Sequence, residues 1–411
     1  MKITVAILMI AFLICGLKGA GLASGGELVL GTKIAIKETY DDNIHLTEDH
    51  TLEDFITIIT PQLNMSFERE KSRLTLDTHA DIKKYFREDD LDTTEKHYDL
   101  YSGLSFYKEI APDASHRFDV SFDRDTSVDS ELEASGRLIN DRDLLKGTYI
   151  YNKWFSDVNR ARVTLNYQKA MYEDIAYMDY DAAGSFFEFG HGFQNERVIM
   201  YGGLGYNYAE GEFDAYTPID NTSEVKGGRI SYIGGISGLT WNLSPLWNVD
   251  VFGGVKKIKI TYDPSLILYL GTDKDVLVRQ EDIVAGVGNI AIRRQGEKSL
   301  FTLRGSRDIV PSGEDISIDK ISFNLNWHYD LTAFLNADLN TAWSASTSVS
   351  NYFTVDSETC FFEMTCHYEL MENFIVSMSF KQSWFFDHQD RTEAVRNVVF
   401  INLDMGWDHY F

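Results

Sequence analysis

The sequence predicts an all-β protein, a transmembrane antiparallel up-and-down β-barrel of about eighteen strands, with sixteen as the alternative count. Three observations predict it. Segments long enough to cross a bilayer as tilted strands alternate apolar and polar residues with period two, repeatedly, to the last residue. Short and long polar connectors alternate between those segments. The chain also opens on an export sequence, yet holds no later apolar run of the roughly 18 residues that a spanning helix needs.

The first element is that export sequence. Met1-Lys2 supplies a small positive start, Ile3 to Cys15 is a short apolar run, and small residues gather from Gly19 to Gly26. This is the layout of a secretory leader, assigned to residues 1–23 with cleavage after Ala23 or Ala20; the barrel is then 24–411. Phe12-Leu13-Ile14 lacks the small residues a lipoprotein leader needs before Cys15. An exported chain without a spanning helix enters a membrane only as a closed sheet, because in lipid every backbone polar group must be paired internally.

Strands are predicted near 27–39, 54–68, 71–86, 96–109, 114–125, 144–155, 159–172, 178–191 and 196–208. The remainder are predicted near 227–241, 246–262, 280–294, 297–308, 316–329, 331–343, 358–370, 372–386 and 394–411. The clearest is Ile321-Ser322-Phe323-Asn324-Leu325-Asn326-Trp327-His328-Tyr329, apolar at every odd position and polar at every even one. Leu74, Leu76, Ala80 and Ile82 likewise oppose Thr75, Asp77, His79, Asp81 and Lys83. Asn, Asp and His in such numbers on one face mean that the face is wet, whereas a soluble sandwich buries both inner faces. Near Gly234-Gly235 and after Val255 the apolar phase changes, and a bulge is expected there.

Short connectors fall at 68–71, 156–159, 194–195, 295–297, 330 and 371–373. Long ones fall near 41–54, 87–95, 125–143, 209–225, 263–279, 307–317, 344–357 and 387–393. Outer-membrane barrels have short periplasmic turns and longer outside loops, so both termini are expected in the periplasm. In the last segment Val399, Ile401, Leu403, Met405, Trp407, His409 and Phe411 share one face. That ending resembles the terminal strand of outer-membrane proteins, which implies that Trp407 and Phe411 form an assembly signal for the barrel assembly machinery; His409 departs from the usual aromatic. Aromatic residues make 13% of the chain. Tyr40, Tyr85, Tyr107, Trp154, Phe155, Tyr262, Trp327, Trp343, Trp384 and Phe385 lie near strand ends, as interfacial girdles require.

A second resemblance rests on Tyr40-Asp41-Asp42-Asn43-Ile44-His45-Leu46-Thr47, followed by Asp54-Phe55-Ile56-Thr57-Ile58-Ile59-Thr60-Pro61-Gln62-Leu63. The pair is similar to the first hairpin of the β-barrel porins found with exopolysaccharide biosynthesis and export genes. Gln62 stands where glycine is common in that family. The resemblance implies an outer-membrane barrel whose partners include polysaccharide export components. Physically, Pro61 donates no ladder hydrogen bond and weakens its strand locally.

The formal charge is −25, and removing residues 1–23 takes out Lys2 and Lys18 and no acid. Such a surplus argues against nucleic acid as a partner. Cys360 and Cys366, six residues apart on one strand, would lie about 20 Å apart, too far for a disulfide. No Gly-x-Ser-x-Gly elbow, His-Glu-x-x-His or phosphate loop occurs, so the chain reads as no enzyme. No cofactor and no metal site is expected.

A barrel of this size leaves an aqueous channel. Asp77, His79, Asp81, Lys83, Asp99, Asp119, Asp338, Asn340, Lys381, Asp404 and Asp408 fall on polar faces and are the candidate pore-lining residues. With Asp123 added, acids outnumber Lys83, Arg117, Arg304 and Lys381, so the lumen is expected to favour cations and neutral solutes. The expected function is an outer-membrane, porin-like conduit, for exopolysaccharide export or for diffusion of saccharides and small solutes. The alternative is a structural or adhesive barrel with a plugged lumen and partner-binding loops. Acids cluster in residues 41–54 and again at Glu88, Asp89, Asp90, Asp92 and Glu95. The bland reading is solvated loops; the sharper one is Ca²⁺ or Mg²⁺ bridging them to lipopolysaccharide phosphates.

Overall fold

The structure, a computed structural model, describes residues 26–48, 51–87, 91, 93, 98–125, 142–172, 179–193, 197–215, 223–262, 280–310, 317–349, 355–389 and 391–410. The leader assigned to 1–23, the final Phe411 and the acids Glu88, Asp89, Asp90, Asp92 and Glu95 lie outside these residues. The first strands are β1 (Glu27–Asp41), β2 (Asp54–Arg69), β3 (Ser72–Tyr85), β4 (Asp99–Ala111), β5 (Ala114–Asp125) and β6 (Arg142–Trp154). They are followed by β7 (Asn159–Tyr172), β8 (Asp179–Phe193), β9 (Val198–Ala215), β10 (Ser223–Ser244), β11 (Trp247–Tyr262) and β12 (Gln280–Gln295). The last six are β13 (Ser299–Val310), β14 (Ile318–Asp330), β15 (Leu335–Ser348), β16 (Asp356–Met371), β17 (Phe374–Asp387) and β18 (Thr392–Tyr410).

Every strand pairs antiparallel with its chain neighbours, and β18 pairs with β1 from Val29↔Tyr410 to Asp41↔Val398, which closes an 18-stranded barrel. Closure pairs every ladder and leaves no sheet edge. Turns of two to four residues join β2 to β3, β4 to β5 and β6 to β7, and the same pattern recurs from β10 to β17. The strand ends that the long connections join, such as Asp41 with Asp54 and Asp125 with Arg142, lie at the opposite rim.

Several expected boundaries move. The hairpin of β9 and β10 pairs up to Ser223↔Ala215, so the loop expected over 209–225 shrinks to 216–222. The loops expected at 307–317 and 344–357 shrink in the same way, to 311–317 and 349–355. Residues 331–334 form a turn, so the one-residue connector at Asp330 becomes four residues and Leu331 leaves the strand. In each long hairpin the ladder runs on past the point where apolar alternation stops, because backbone pairing does not need apolar side chains.

The bulge expected near Gly234-Gly235 and Val255 is absent: Gly235↔Leu204 and Gly235↔Val255 sit in unbroken register. The register shifts lie instead at Lys226/Gly228 and Asn242/Ser244. The alternation fades there because both faces are apolar. Ile233 and Val255 project outward, while Ile230, Tyr232, Ile258 and Ile260 pack inward as a buried cluster with Ala209 and Ile309. Pro61 behaves as its chemistry requires. The ladder between β2 and β3 passes from Ile59↔Ile82 to Gln62↔His79, skipping Thr60 and Pro61, and the Thr60 hydroxyl bonds the Asp81 carboxylate instead at 2.6 Å. Cys360 and Cys366 are free thiols on β16.

Candidate functional site: the barrel lumen

Alternation assigns each side chain to one of two faces, and two observations say which face is inside. Large exposed apolar residues such as Phe55, Ile82, Phe187, Leu204, Val284, Phe323 and Ile401 lie on one face. On the other face, residues from β16, β17 and β18 share a cavity with residues from β1 to β5. Only the concave side of a closed sheet brings such distant strands together. This cavity, of about 370 Å³, is lined by Lys37, Asp41, Tyr85, Asp123, Glu363 and Phe400, among others.

The candidate residues lie along this inner face in several groups. Asp77 accepts from Gln62 Nε2 at 3.2 Å, His79 stacks on Tyr101 with centroids 5.2 Å apart, and Lys83 is ion-paired with Asp99. Asp119 holds the Arg117 guanidinium at 2.8 Å. On the other side of the β1–β18 closure, Lys381 lies over the Phe361 ring at 5.2 Å, and Asp404 pairs with Lys33 at 3.1 Å. Asn340 stands opposite Asn326 and Glu363, and Asp408 opposite Gly31.

The inner acids are less dominant than counting implied. Lys33 and Arg396 bond inner-face acids, Lys37 and Lys146 line inner cavities, and Arg160 pairs with Glu188 at 3.2 Å. Lys33 and Lys37 could have been found by extending the alternation of β1 past its apolar neighbours. Arg160 could not, because its partner lies on the next strand at a register no local pattern reveals.

Near the short-turn rim, polar side chains form one chain across four strands. The Asp338 carboxylate stands 2.7 Å from His328 Nδ1 and 3.0 Å from His367 Nε2. His367 Nδ1 and Ser377 Oγ lie 2.7 Å apart, and His328 Nε2 lies 3.1 Å from Asp330. The order Ser-His-Asp matches that of a nucleophilic relay, but Ser377 is 2% exposed and out of a substrate's reach. The chain braces the wall. Among the described residues no three His, Cys, Asp or Glu side chains converge as a metal site.

At the long-loop rim, Tyr40-Asp41-Asp42-Asn43 forms a latch. Asp41 is fully buried and takes Arg396 Nε at 2.9 Å and Nη2 at 2.5 Å. Asp42 accepts the backbone N–H of Asn397 at 2.6 Å and its side-chain amide at 2.7 Å. Asn43 donates to the carbonyls of Thr47 and Val395, both at 2.9 Å, and accepts the Thr47 N–H. These bonds to β18 turn the first loop inward. Ile44 packs with Ile56, Ile58 and Tyr85, and Leu46 packs with Phe385 and Ala394. Tyr85 and Phe385, expected in an interfacial girdle, therefore face inward and carry the loop. Two further acids here are engaged within the protein: Asp54 accepts the N–H groups of Phe55 and Arg87, and Glu53 takes Arg87 Nη1 at 2.9 Å. The Arg87 and Tyr40 hydrogen bonds hold the Glu53 carboxyl below the usual carboxylate range.

No protein-family model and no curated protein sequence matches the chain. Among solved structures it is similar to the copper transporter OprC, with a TM-score of 0.48 and 11% identity over 88% of this chain. The matched region spans 62% of OprC. It is also similar to Pseudomonas aeruginosa OpdK solved with vanillate, with a TM-score of 0.43 and 8% identity over 92% of this chain and 99% of that one. The ferric-catecholate import receptor Fiu from E. coli K12 matches with a TM-score of 0.47 and 7% identity, over 92% and 81% of the two chains. These are likenesses of fold.

Proposed function

We propose that this chain is an outer-membrane transport conduit for hydrophilic solutes of the saccharide class, its termini periplasmic and its outer mouth narrowed by its own first loop. The observation that carries the reading is the inner face of a closed 18-strand barrel, lined with ionised side chains and amides around a cavity beneath that loop. Barrels of this strand number are wide enough to hold water, and charged side chains on an inner face are stable only where it is wet. Paired acids and bases leave a modest negative excess, which suits neutral saccharides and disfavours anions. Export of a polysaccharide made inside the cell is the finer form of this reading, with periplasmic export components as partners.

A second reading, a structural or adhesive barrel, draws on the apolar seating of Ile44 and Leu46 within the mouth. Planar-bilayer recording of the refolded barrel separates the two. The conduit gives stepwise conductance with weak cation selectivity, and liposomes carrying it swell in neutral oligosaccharide. A folded barrel without conductance supports the second reading, and anion selectivity overturns the assignment of cargo.

A further inference from the structure

Transport makes no use of a patch on the outer wall of β11. Lys257 and Lys259 occupy successive outward positions there, and both are exposed. Neither makes an ion pair or hydrogen bond with a described residue. Three other outward cations near this rim are matched: Lys169 with Asp181 at 3.3 Å, Arg229 with Glu210 at 2.8 Å, and Arg307 with Asp319 at 2.7 Å. Asp282 stands across from Lys259 and has a partner of its own. Lys257 is flanked across the ladder by Ile233 and Val284, which are 61% and 69% exposed. Two ammonium groups therefore stand among chains that face lipid, where a charge is costly at depth and tolerated only near the headgroups.

The ladder sets their level. Lys257 shares a row with Ile233 and Tyr206, and Lys259 with Ser231 and Tyr208. These tyrosines mark the aromatic belt of the long-loop rim. Directly below, on the outward face of the same strand, come Val255 and then Gly253. Here a hollow of about 560 Å³ opens between Phe187, Leu204 and Val255, floored by Gly202, Gly235 and Gly253. A Cβ on Gly253 or on the adjoining Gly286 would meet no atom within 4 Å, so barrel packing does not require glycine at either position. Lys257 and Gly253 are four residues apart, about 13 Å at the usual strand rise, within the reach of one lipid from headgroup to upper chain.

We propose that this face holds one phosphate-bearing glycolipid of the outer leaflet, its phosphate on Lys257 and Lys259 and one acyl chain in the hollow. Two cations that no described residue matches complement a phosphate's charge, and charge-assisted hydrogen bonds to it are the strong kind. The assignment of leaflet rests on the orientation proposed above; the site itself does not depend on conductance.

The test uses the refolded full barrel in neutral phosphatidylcholine bicelles, supplemented in turn with lipid A, phosphatidylglycerol or inorganic phosphate. Native mass spectrometry counts the lipids retained, and the heat-modifiable gel shift reports folding. The expected result is about tenfold preferential retention of one lipid A, which is ~1.4 kcal/mol by the standard conversion. Lys257→Gln with Lys259→Gln removes that preference, and Gly253→Leu with Gly286→Leu weakens it while both lysines remain. Both pairs keep the gel shift and wild-type conductance. Equal retention of lipid A and phosphatidylcholine, or a preference unchanged by the lysine pair, overturns the site. Equal retention of phosphatidylglycerol overturns the glycolipid assignment, and displacement of lipid A by inorganic phosphate overturns the acyl contribution. Loss of conductance with lipid retention intact would sink the conduit and leave this site standing.

Discussion

Two stretches of one barrel wall differ sharply. From β2 to β5 the inner face carries Asp77, Asp81, Asp119 and their polar partners, and the outer face carries Phe55, Ile82 and Phe118. From β9 to β11, toward the long-loop rim, Ile230, Tyr232, Ile258 and Ile260 are buried inside while Leu204, Ile233 and Val255 are exposed outside. Backbone pairing runs through both, broken only at Thr60-Pro61 in the first and shifted at Lys226/Gly228 and Asn242/Ser244 in the second. Backbone pairing closes the barrel, and side chains record only which faces are wet. Period-two alternation is thus a sign of one wet face and one dry one, and it fades where the wall is dry on both.

The largest expected effect comes from wetting the dry stretch. Ile258→Asn loses the burial of a whole side chain, about 1.5–3 kcal/mol, and strands an amide at about 1–3 kcal/mol. The combined loss of about 4 kcal/mol is read by urea unfolding in detergent. Asn340→Ile, on the wet wall, should change stability by about 0.5 kcal/mol or less. Equal effects would erase the distinction between the two stretches.

Next comes the latch. Arg396→Ala leaves Asp41 buried without its cation, which costs about 3 kcal/mol or more. The loop should become open to protease and conductance should rise. Unchanged conductance with a cleaved loop would mean that the first loop does not narrow the path.

Within the dry stretch, neighbouring glycines should part company. A Cβ on Gly254 would lie 2.3 Å from the Gly235 carbonyl oxygen, so Gly254→Ala should cost about 1–3 kcal/mol through backbone displacement. Gly253→Ala points into open space and should be close to neutral in the same unfolding assay.

The smallest effect is that of pH on the first loop. Glu53 is held below its ordinary range by Arg87 and Tyr40. Its contribution is therefore present above the unfolded-state value and is lost as pH falls through the lower folded-state one. Protease sensitivity of the loop should rise on acidification through that range, and Glu53→Gln should flatten the profile.

Alternation made β14 and β18 legible to within a few residues, and the same arithmetic placed Asp77, Asp81 and Asp404 on polar faces. Pro61 announced its own gap in the ladder. Tyr85 and Phe385 were misjudged as girdle residues, since being near a strand end does not say which face a ring takes. The motif Tyr40-Asp41-Asp42-Asn43 was visible as a pattern, but its work was not, because Arg396 and Asn397 stand 355 residues away.

By itself the sequence determined that this chain forms strands, sixteen or eighteen of them, and that most have one wet face, because alternation and connector length are local quantities. Only the tertiary structure decided that the strands number eighteen rather than sixteen, that the first loop turns into the mouth, which inner charges neutralise one another, and that Lys257 and Lys259 stand unmatched by any described residue above a hollow. Those outcomes depend on register between strands distant in the chain, and register belongs to the closed barrel as a whole.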